Sequence, residues 1–325
     1  MGFAERHWYR ISAVSLLLFP LSLVFRAAVA LRRALYRGRV LRSERLGVPV
    51  IVVGNLTVGG TGKTPLVLWL VDELRRRGLT PGIVSRGHGA GGRAPRAVRP
   101  GDDPARAGDE PVLLAGRSGV PVWIGADRPA AARALLAAHP ACDVIVCDDG
   151  LQHYGLVRDF EIAVQDERGF GNGFLMPAGP LREPRGRPVD ARVVNSDSAP
   201  EAGALRMRLA PGGLYRVGDG AAMAVEALAG KRLHAVAAIG NPGRFFRTLE
   251  QMGLRPTPHA FPDHHRYAPA DLDFADCDYI LMTEKDAVKC RRFGRSDLIA
   301  LRVDAALEPA LADLIIDRIH GRAPA

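Results

Sequence analysis

An α/β fold follows from three features of the chain. An apolar run, Pro49 to Val53, stops at Gly54-Asn55 and passes through a glycine-rich turn into a stretch with helical apolar spacing. Beyond it, short strand-like runs and helical stretches alternate with short connections as far as Asn195, the pattern of a mostly parallel sheet. After an interval of alternating runs, Ser196 to Gly220, the strand–helix order resumes near Leu233. The expected architecture is a larger parallel-sheet domain at residues 46–195, a short β-stranded linker at 196–222 and a second, smaller α/β domain at 223–325. An apolar and basic segment, 1–45, precedes them, and the last helix is free to pack back on the first domain.

The 325 residues suffice for two domains, and an apolar fraction of 47% argues against wholesale disorder. The net charge of +9 is carried almost entirely by arginine, since lysine occurs only at Lys63, Lys231, Lys285 and Lys289. Such a balance attracts phosphates, anionic lipid or nucleic acid. No basic strand with interleaved aromatics is present, so nucleic acid is set aside as a partner. Cys142, Cys147, Cys277 and Cys290 form no C-x-x-C pair and no metal-ligand pattern; they fit buried thiols in a reducing compartment.

Ile11 to Phe25 is apolar apart from serines and Pro20. Fifteen helical residues reach only about 22 Å, short of a roughly 30 Å hydrocarbon core, and extension to Leu31 encloses Arg26. A signal peptide would export a nucleotide site away from its nucleotide, and a buried helix leaves the arginines that follow unexplained. A membrane anchor, inserted or lying in the interface, with the later sequence cytosolic, accounts for both.

The stretch from Val48 to Leu70, VPVIVVGNLTVGGTGKTPLVLWL, reads as strand, phosphate-cradling loop and helix, a P-loop NTPase-like arrangement. Backbone amides of Thr57, Gly59, Gly60, Thr61 and Gly62 converge on phosphate oxygens, and the helix N-terminus adds its positive dipole end. Lys63 reaches the β- and γ-phosphates of ATP, and Thr64 takes a place on Mg²⁺. Thr57 stands where the usual first glycine would be. The helix Pro65–Arg77 ends at Gly78, and the strand Pro81–Ser85 leads to Arg86; Ala90 to Pro104 reads as a mobile loop. Gly108-Asp109-Glu110-Pro111 opens a helix, Val120–Ile124 is a strand, and Asp127 caps the helix that runs to His139. The strand Asp143–Cys147 ends in Asp148-Asp149-Gly150, where a Walker-type carboxylate holds the metal. Strands Asp159–Gln165 and Ala191–Asn195 flank a Gly/Pro/Arg loop containing Arg182 and Glu183. The linker contributes two short antiparallel runs, Leu205–Leu209 and Gly213–Val217, and the second domain closes with a helix from Leu307 to His320.

Asp109 and Glu110 either stabilise a helix N-terminus electrostatically or receive a hydroxyl proton, and His264 and His265 are either loop residues or partners in that transfer. Arg86, Arg128 and Arg182 lie beyond strand ends, where they clamp phosphate or form surface ion pairs. Thr283-Glu284-Lys285-Asp286 is close to a guanine-reading motif, but Lys and Asp are adjacent without the intervening residue.

Eight stretches, VGNLTVGGTGKTP (53–65), SRGHG (85–89), GDEP (108–111), DDGLQH (148–153), GPLRE (179–183), GNP (240–242), FPDHHRY (261–267) and TEKDAVK (283–289), resemble in order the tetraacyldisaccharide 4'-kinases of lipid A biosynthesis. The resemblance implies transfer of the ATP γ-phosphoryl to the 4'-hydroxyl of a tetraacylated disaccharide 1-phosphate, in a cleft between two α/β/α domains. It implies Asp109 and His264 as the pair acting on that hydroxyl, with Lys63 catalytic. Asp148, Asp149 and Thr64 are implied at Mg²⁺, and Arg182 and Glu183, with Arg86 and Arg128, at the substrate. Implied partners are the lipid A precursor and an anionic membrane surface at the cytoplasmic face of the bacterial inner membrane, with no obligatory protein partner. His88 stands where tyrosine is expected, and Leu151 where phenylalanine is common. The alternative from another class is a membrane-tethered P-loop ATPase or GTPase that acts as a switch or chaperone and phosphorylates no lipid.

Overall fold

The computed structural model describes residues 7–87 and 94–321, so His88 lies outside the described residues. The first element, α1 (Ala13–Arg37), begins at a capping box in which Ser12 Oγ accepts from the Ser15 amide and Ser15 Oγ accepts from the Ser12 amide. Its 25 residues span about 37 Å, and it is long and apolar enough to cross a membrane. One narrow face is docked on the rest of the chain. Ser22 Oγ donates to the Leu175 carbonyl at 2.7 Å and accepts from the Ala178 amide at 3.0 Å, while Phe19 meets Phe174 and Tyr36 meets Tyr154. Leu17 and Val24, on the other side, are 80% and 68% exposed.

The first half continues with β1 (Val50–Gly54), α2 (Lys63–Arg76), β2 (Pro81–Ser85), β3 (Arg96–Val98), α3 (Pro104–Ala107), α4 (Asp109–Ser118) and β4 (Val122–Ile124). It closes with α5 (Arg128–Ala138), β5 (Val144–Asp148), β6 (Phe160–Asp166) and β7 (Ala191–Asn195). Then come β8 (Leu205–Arg216), β9 (Ala222–Met223), β10 (Leu233–Ala237), α6 (Pro242–Gln251), β11 (Thr257–Ala260), β12 (Tyr279–Thr283), α7 (Glu284–Cys290), β13 (Leu298–Leu307) and α8 (Ala310–His320). The strands join in one sheet of order β11-β10-β12-β13-β8-β7-β6-β1-β5-β2-β4-β3, with β9 beside β8. Pairing is parallel except at β13–β8, β8–β9 and β3–β4. β1 is covered on both faces, hence its unbroken apolar run. Ile51 and Val53 pack with Leu66, Leu70 and Leu74 of α2, whereas Val50 and Val52 pack with Leu135 and Leu151. Leu311, Ile315 and Ile319 of α8 join the α2 side, so the last helix returns to the first half.

The β8–β13 pair decides where the two halves face. Leu205 to Met207 pair with β7, while Leu214 and Tyr215 pair with Leu301 and Ala300, residues that also pair with β12. Between lies a two-stranded ribbon, Arg208 to Gly213, about 20 Å long. β8 leaves the first half beyond the carboxyl end of β7, where Asn195 is opposite Met207. β13 leaves the second beyond the carboxyl end of β12, where Thr283 is opposite Leu301. The carboxyl ends of both sets of parallel strands therefore look at each other across the ribbon. A register shift between Arg302 and Val303 marks a bulge, which adds twist.

Three expectations change here. The linker does not form its own antiparallel pair of short runs. Leu205–Arg216 is one strand whose main partner is β13, far along the chain, a pairing that local alternation cannot disclose. Correspondingly, Leu307 ends β13, and the last helix starts at Ala310, after Pro309. Within the expected loop, Arg96–Val98 forms an edge strand on β4, too short for a periodic signal.

Leu66 is fully buried between β1 and α2. Leu66→Ala should cost about 2–5 kcal/mol of unfolding free energy, measured by denaturant titration; a change below about 1 kcal/mol would show that this cluster does not hold the loop helix.

Candidate active site

The loop between β1 and α2 is held by backbone and amide contacts more than by its own turns. The Val58 amide donates to the Pro180 carbonyl, and the Arg182 amide to the Leu56 carbonyl, so the segment 180–182 braces its outer side. Inside, the buried Asn55 donates from Nδ2 to the Gly59 carbonyl at 3.0 Å and accepts from Lys63 Nζ at 3.2 Å. Asn195, at the end of β7, donates to the Thr61 carbonyl. Gly62 caps the start of α2 at φ +93°, and a Cβ there would lie 2.7 Å from Asn195 Nδ2. Glycine is required for both reasons. Gly60, Thr61, Gly62, Lys63 and Thr64 line a cavity of about 220 Å³ whose opposite wall comes from the second half, through Gly240, Asn241, Phe245 and Lys285. Thr57 is not on this wall; it forms a bridge with Leu181 on the braced side.

Asp148 and Asp149 follow one another at the end of β5 but are set up differently. Asp148 is buried, accepts from Ser85 Oγ at 3.1 Å through Oδ2, and leaves Oδ1 without a partner. Burial, with Glu110 and Asp149 nearby, pushes its carboxyl up to about 7. Asp149, at φ +49°, lies 3.3 Å from both Lys63 Nζ and Arg182 Nη1. Burial works to raise its pKa, but the two cations outweigh it and hold the group below the usual carboxylate value.

Among the described residues no cluster of three or more His, Cys, Asp or Glu forms a cation cage. Mg²⁺ beside a nucleotide needs none, since it takes one or two carboxylates, a hydroxyl and phosphate oxygens. The unpartnered, underionised carboxylate of Asp148, with Asp149 next to it and Thr64 on the cavity wall, fits such an ion.

Asp109 opens α4 behind Gly108, whose φ of +89° sets the turn. Its Oδ1 accepts from the Glu110 amide, and its Oδ2 accepts from His264 Nδ1 at 3.2 Å, a contact between residues 155 positions apart. Burial would raise the Asp109 pKa, yet the His264 hydrogen bond and Lys285 bring it down to about 2. In return, the Asp109 bond raises the His264 imidazole above its ordinary value, against burial and Lys285. His264 holds φ +61°, a conformation uncommon outside glycine and seen where neighbours over-determine the backbone.

Arg86, Arg128, Arg182 and Glu183 come together on a second cavity, about 630 Å³, which joins Asp149 to Phe25, Val29 and Arg32 of α1. Within it Arg86 is exposed, whereas Arg128 is buried and donates to the Gly125 carbonyl. Glu183 is 1% exposed, paired with Arg187 at 2.9 Å and accepting from the Tyr154 hydroxyl. The site also contains residues to which the sequence reading gave no role. Asn55 and Asn195 order the loop, and Lys285 contacts Glu110 and His264. Asn55 lies inside a recognised motif and Lys285 inside another, which was the available signal; Asn195 carried none beyond its place at a strand end. The buried Asp286 accepts from the Ala238 amide and pairs with Lys289, so it is not displayed for reading a base.

Raised in the native state, the Asp148 pKa makes stability fall as pH climbs from about 4 through about 7, because the unfolded carboxyl ionises freely and the buried one does not. Mg²⁺ with nucleotide should therefore raise the melting temperature more at pH 8 than at pH 5. Asp148→Asn should flatten the nucleotide-free pH dependence, and an equal Mg²⁺ effect at both pH values would remove the metal from Asp148.

A sequence model described as LpxK: Tetraacyldisaccharide-1-P 4'-kinase matches residues 14–320. A tetraacyldisaccharide 4'-kinase of Azoarcus sp. (strain BH72) is 52% identical, over 100% of this chain and 98% of the relative. One from Pseudomonas paraeruginosa (strain DSM 24068 / PA7) is 52% identical over 95% and 96%. The crystal structure of an "apo" form LpxK from Aquifex aeolicus in complex with ATP superposes with a TM-score of 0.81 at 30% identity, covering 94% of this chain and 99% of that one.

Proposed function

This chain belongs to the tetraacyldisaccharide-1-P 4'-kinase family, and we propose that Asp109, His264 and Lys63 are the residues with which it carries out that chemistry. It is an ATP-dependent kinase that transfers the γ-phosphoryl of ATP to the 4'-hydroxyl of the tetraacyldisaccharide 1-phosphate lipid A precursor, giving the 1,4'-bis-phosphorylated lipid. The switch or chaperone reading finds no support in these matches.

In our reading the triphosphate lies along Gly59 to Thr64, where amide dipoles and the start of α2 receive its charge. Lys63, held by Asn55 and Asp149, stabilises charge between the β- and γ-phosphates as the phosphoryl group moves in line to the sugar oxygen. Asp148, Asp149 and Thr64 would hold Mg²⁺, which when bound neutralises charge on the β- and γ-oxygens. Asp109 takes the proton of the 4'-hydroxyl on a carboxylate oxygen. A carboxylate with a pKa of about 2 is a weak base, and a loose transition state asks for little proton transfer before the phosphoryl group has largely left ADP. His264 donates to that carboxylate and orients it. The observation that carries this reading is the Asp109–His264 contact at 3.2 Å across the cleft; the pair lines a cavity of about 410 Å³, while the neighbouring Glu110 lies on the wall of the nucleotide cavity.

The acceptor enters through the 630 Å³ cavity, where Arg86, Arg128 and Arg182 meet its phosphate and Glu183 orders the wall through Arg187. That cavity opens beside α1, whose outward face carries Leu16, Leu17, Leu21, Val24 and Leu31. We place this face in the cytoplasmic leaflet of the bacterial inner membrane, among anionic headgroups, so that the acyl chains stay in the bilayer during reaction. Residues 46–195 act as the nucleotide unit, 196–222 as the linker and 223–325 as the unit that brings His264 to Asp109 and excludes water.

With labelled ATP and the lipid disaccharide 1-phosphate, the protein should form bis-phosphorylated lipid. Asp109→Asn should lower kcat by about 10²–10⁴-fold with ATP KM little changed, and retained kcat would remove the assigned role. The triple change Leu17→Glu, Leu21→Glu and Val24→Glu should abolish co-sedimentation with anionic vesicles without altering the melting temperature. Undiminished vesicle binding would sink the α1 assignment.

A further inference from the structure

Lys285 is the first-turn lysine of α7, a helix capped by Thr283, whose hydroxyl accepts from the Asp286 amide. Its side chain is 16% exposed, and the ammonium lies 3.1 Å from Glu110 Oε1, 3.4 Å from His264 Nε2, 3.5 Å from Asp263 Oδ1 and 3.9 Å from Asp109 Oδ2. Two of these groups open α4 in the first half, and the other two lie in the loop after β11 in the second. An ammonium only donates, so the His264 nitrogen facing it is the acceptor, and the ring proton belongs on Nδ1, the nitrogen that meets Asp109. A compact, three-donor charge serves several acceptors at different angles, which a planar guanidinium does not.

We infer that Lys285 is a positioning residue for the phosphoryl transfer: it pins α4 to the loop of His264 across the cleft and fixes that imidazole with its Nδ1 proton toward Asp109. The inference rests on the kinase reading above and assigns Lys285 no contact with the reacting atoms. The charged groups that meet His264 include Asp109 from α4, Asp263 from its own loop and Lys285 from α7. Glu110 of α4 meets Lys285, Arg266, Lys289 and Arg292 line the same cavity as His264, and Lys289 adds its field at Asp109. Asp109 favours the imidazolium and Lys285 opposes it. Burial pulls the Lys285 pKa down, but Glu110, Asp109 and Asp263 hold it above the usual value, so the cation persists at any working pH. Without it, His264 gains a proton on Nε2 at higher pH and its ring loses one of two fixed ends.

The test uses the full chain with Lys285→Met, Lys285→Gln and Lys285→Arg. In Met and Gln, kcat should fall by about tenfold or more while ATP KM stays within about threefold. The acidic limb of the pH–rate profile and the NMR titration of His264 should both move to higher pH, and Arg should restore the titration and part of kcat. Because Lys285 also lines the nucleotide cavity, a raised ATP KM with kcat preserved would make it a nucleotide contact and overturn the inference. Unchanged kcat, or a loss of kcat with an unmoved His264 titration, would overturn it as well. A wild type that forms no bis-phosphorylated lipid would count against the kinase reading instead. The titration needs no substrate and still decides whether Lys285 sets the imidazole.

Discussion

Parallel α/β sheets gather their ligands at the carboxyl ends of their strands, and two such sheets laid side by side in the same direction would present two separate crevices. The antiparallel β8–β13 ribbon prevents that. It reverses the second set of strands and displaces it by about six residues, so that both carboxyl edges open onto one space. Gly60 and Gly240 come so close that a Cβ on Gly240 would lie 2.9 Å from the Gly60 amide nitrogen. The Arg168 guanidinium bridges the same two segments, donating to both their carbonyls. Every interaction proposed for catalysis across the cleft depends on this reversal.

Inside that space, environment sorts three aspartates of identical chemistry. Asp148, buried with carboxylates for neighbours, is raised to about 7. Asp149, half-buried between Lys63 and Arg182, is held below the usual carboxylate value by those two cations. Asp109, beside His264 and Lys285, is lowered to about 2 and stays a carboxylate throughout the working pH range. Groups whose surroundings separate their pKa values divide the labour of a reaction, and in our proposal these three serve metal binding, phosphate-site charge and proton acceptance.

The apolar helix α1 belongs to this arrangement and is not simply appended to it. It is held to the first half at Ser22 and Tyr36, well apart along its length, and its Phe25, Val29 and Arg32 form one wall of the cavity that reaches Asp149. In our proposal an acceptor with acyl chains finds an apolar surface and a cluster of arginines on one cavity, which Val58 and Asp149 also line.

Local pattern was enough for the parts of this protein that are local. The run Pro49 to Val53, Gly59 to Thr64, the Asp148-Asp149 strand end and the alternation of strands with helices declare themselves because strand, turn and helix preferences act over a few residues. Family motifs added Asp109 and His264 as a pair, which spacing alone left as two weak candidates. What the sequence could not disclose is long-range: the strand Leu205–Arg216 choosing β13 as its partner, the burial of Glu183 against Arg187, and Lys285 reaching four groups from two halves. Those depend on which surfaces meet after the ribbon turns the halves together, and on the charges that burial then leaves uncompensated. Neither is a property of any single stretch of chain.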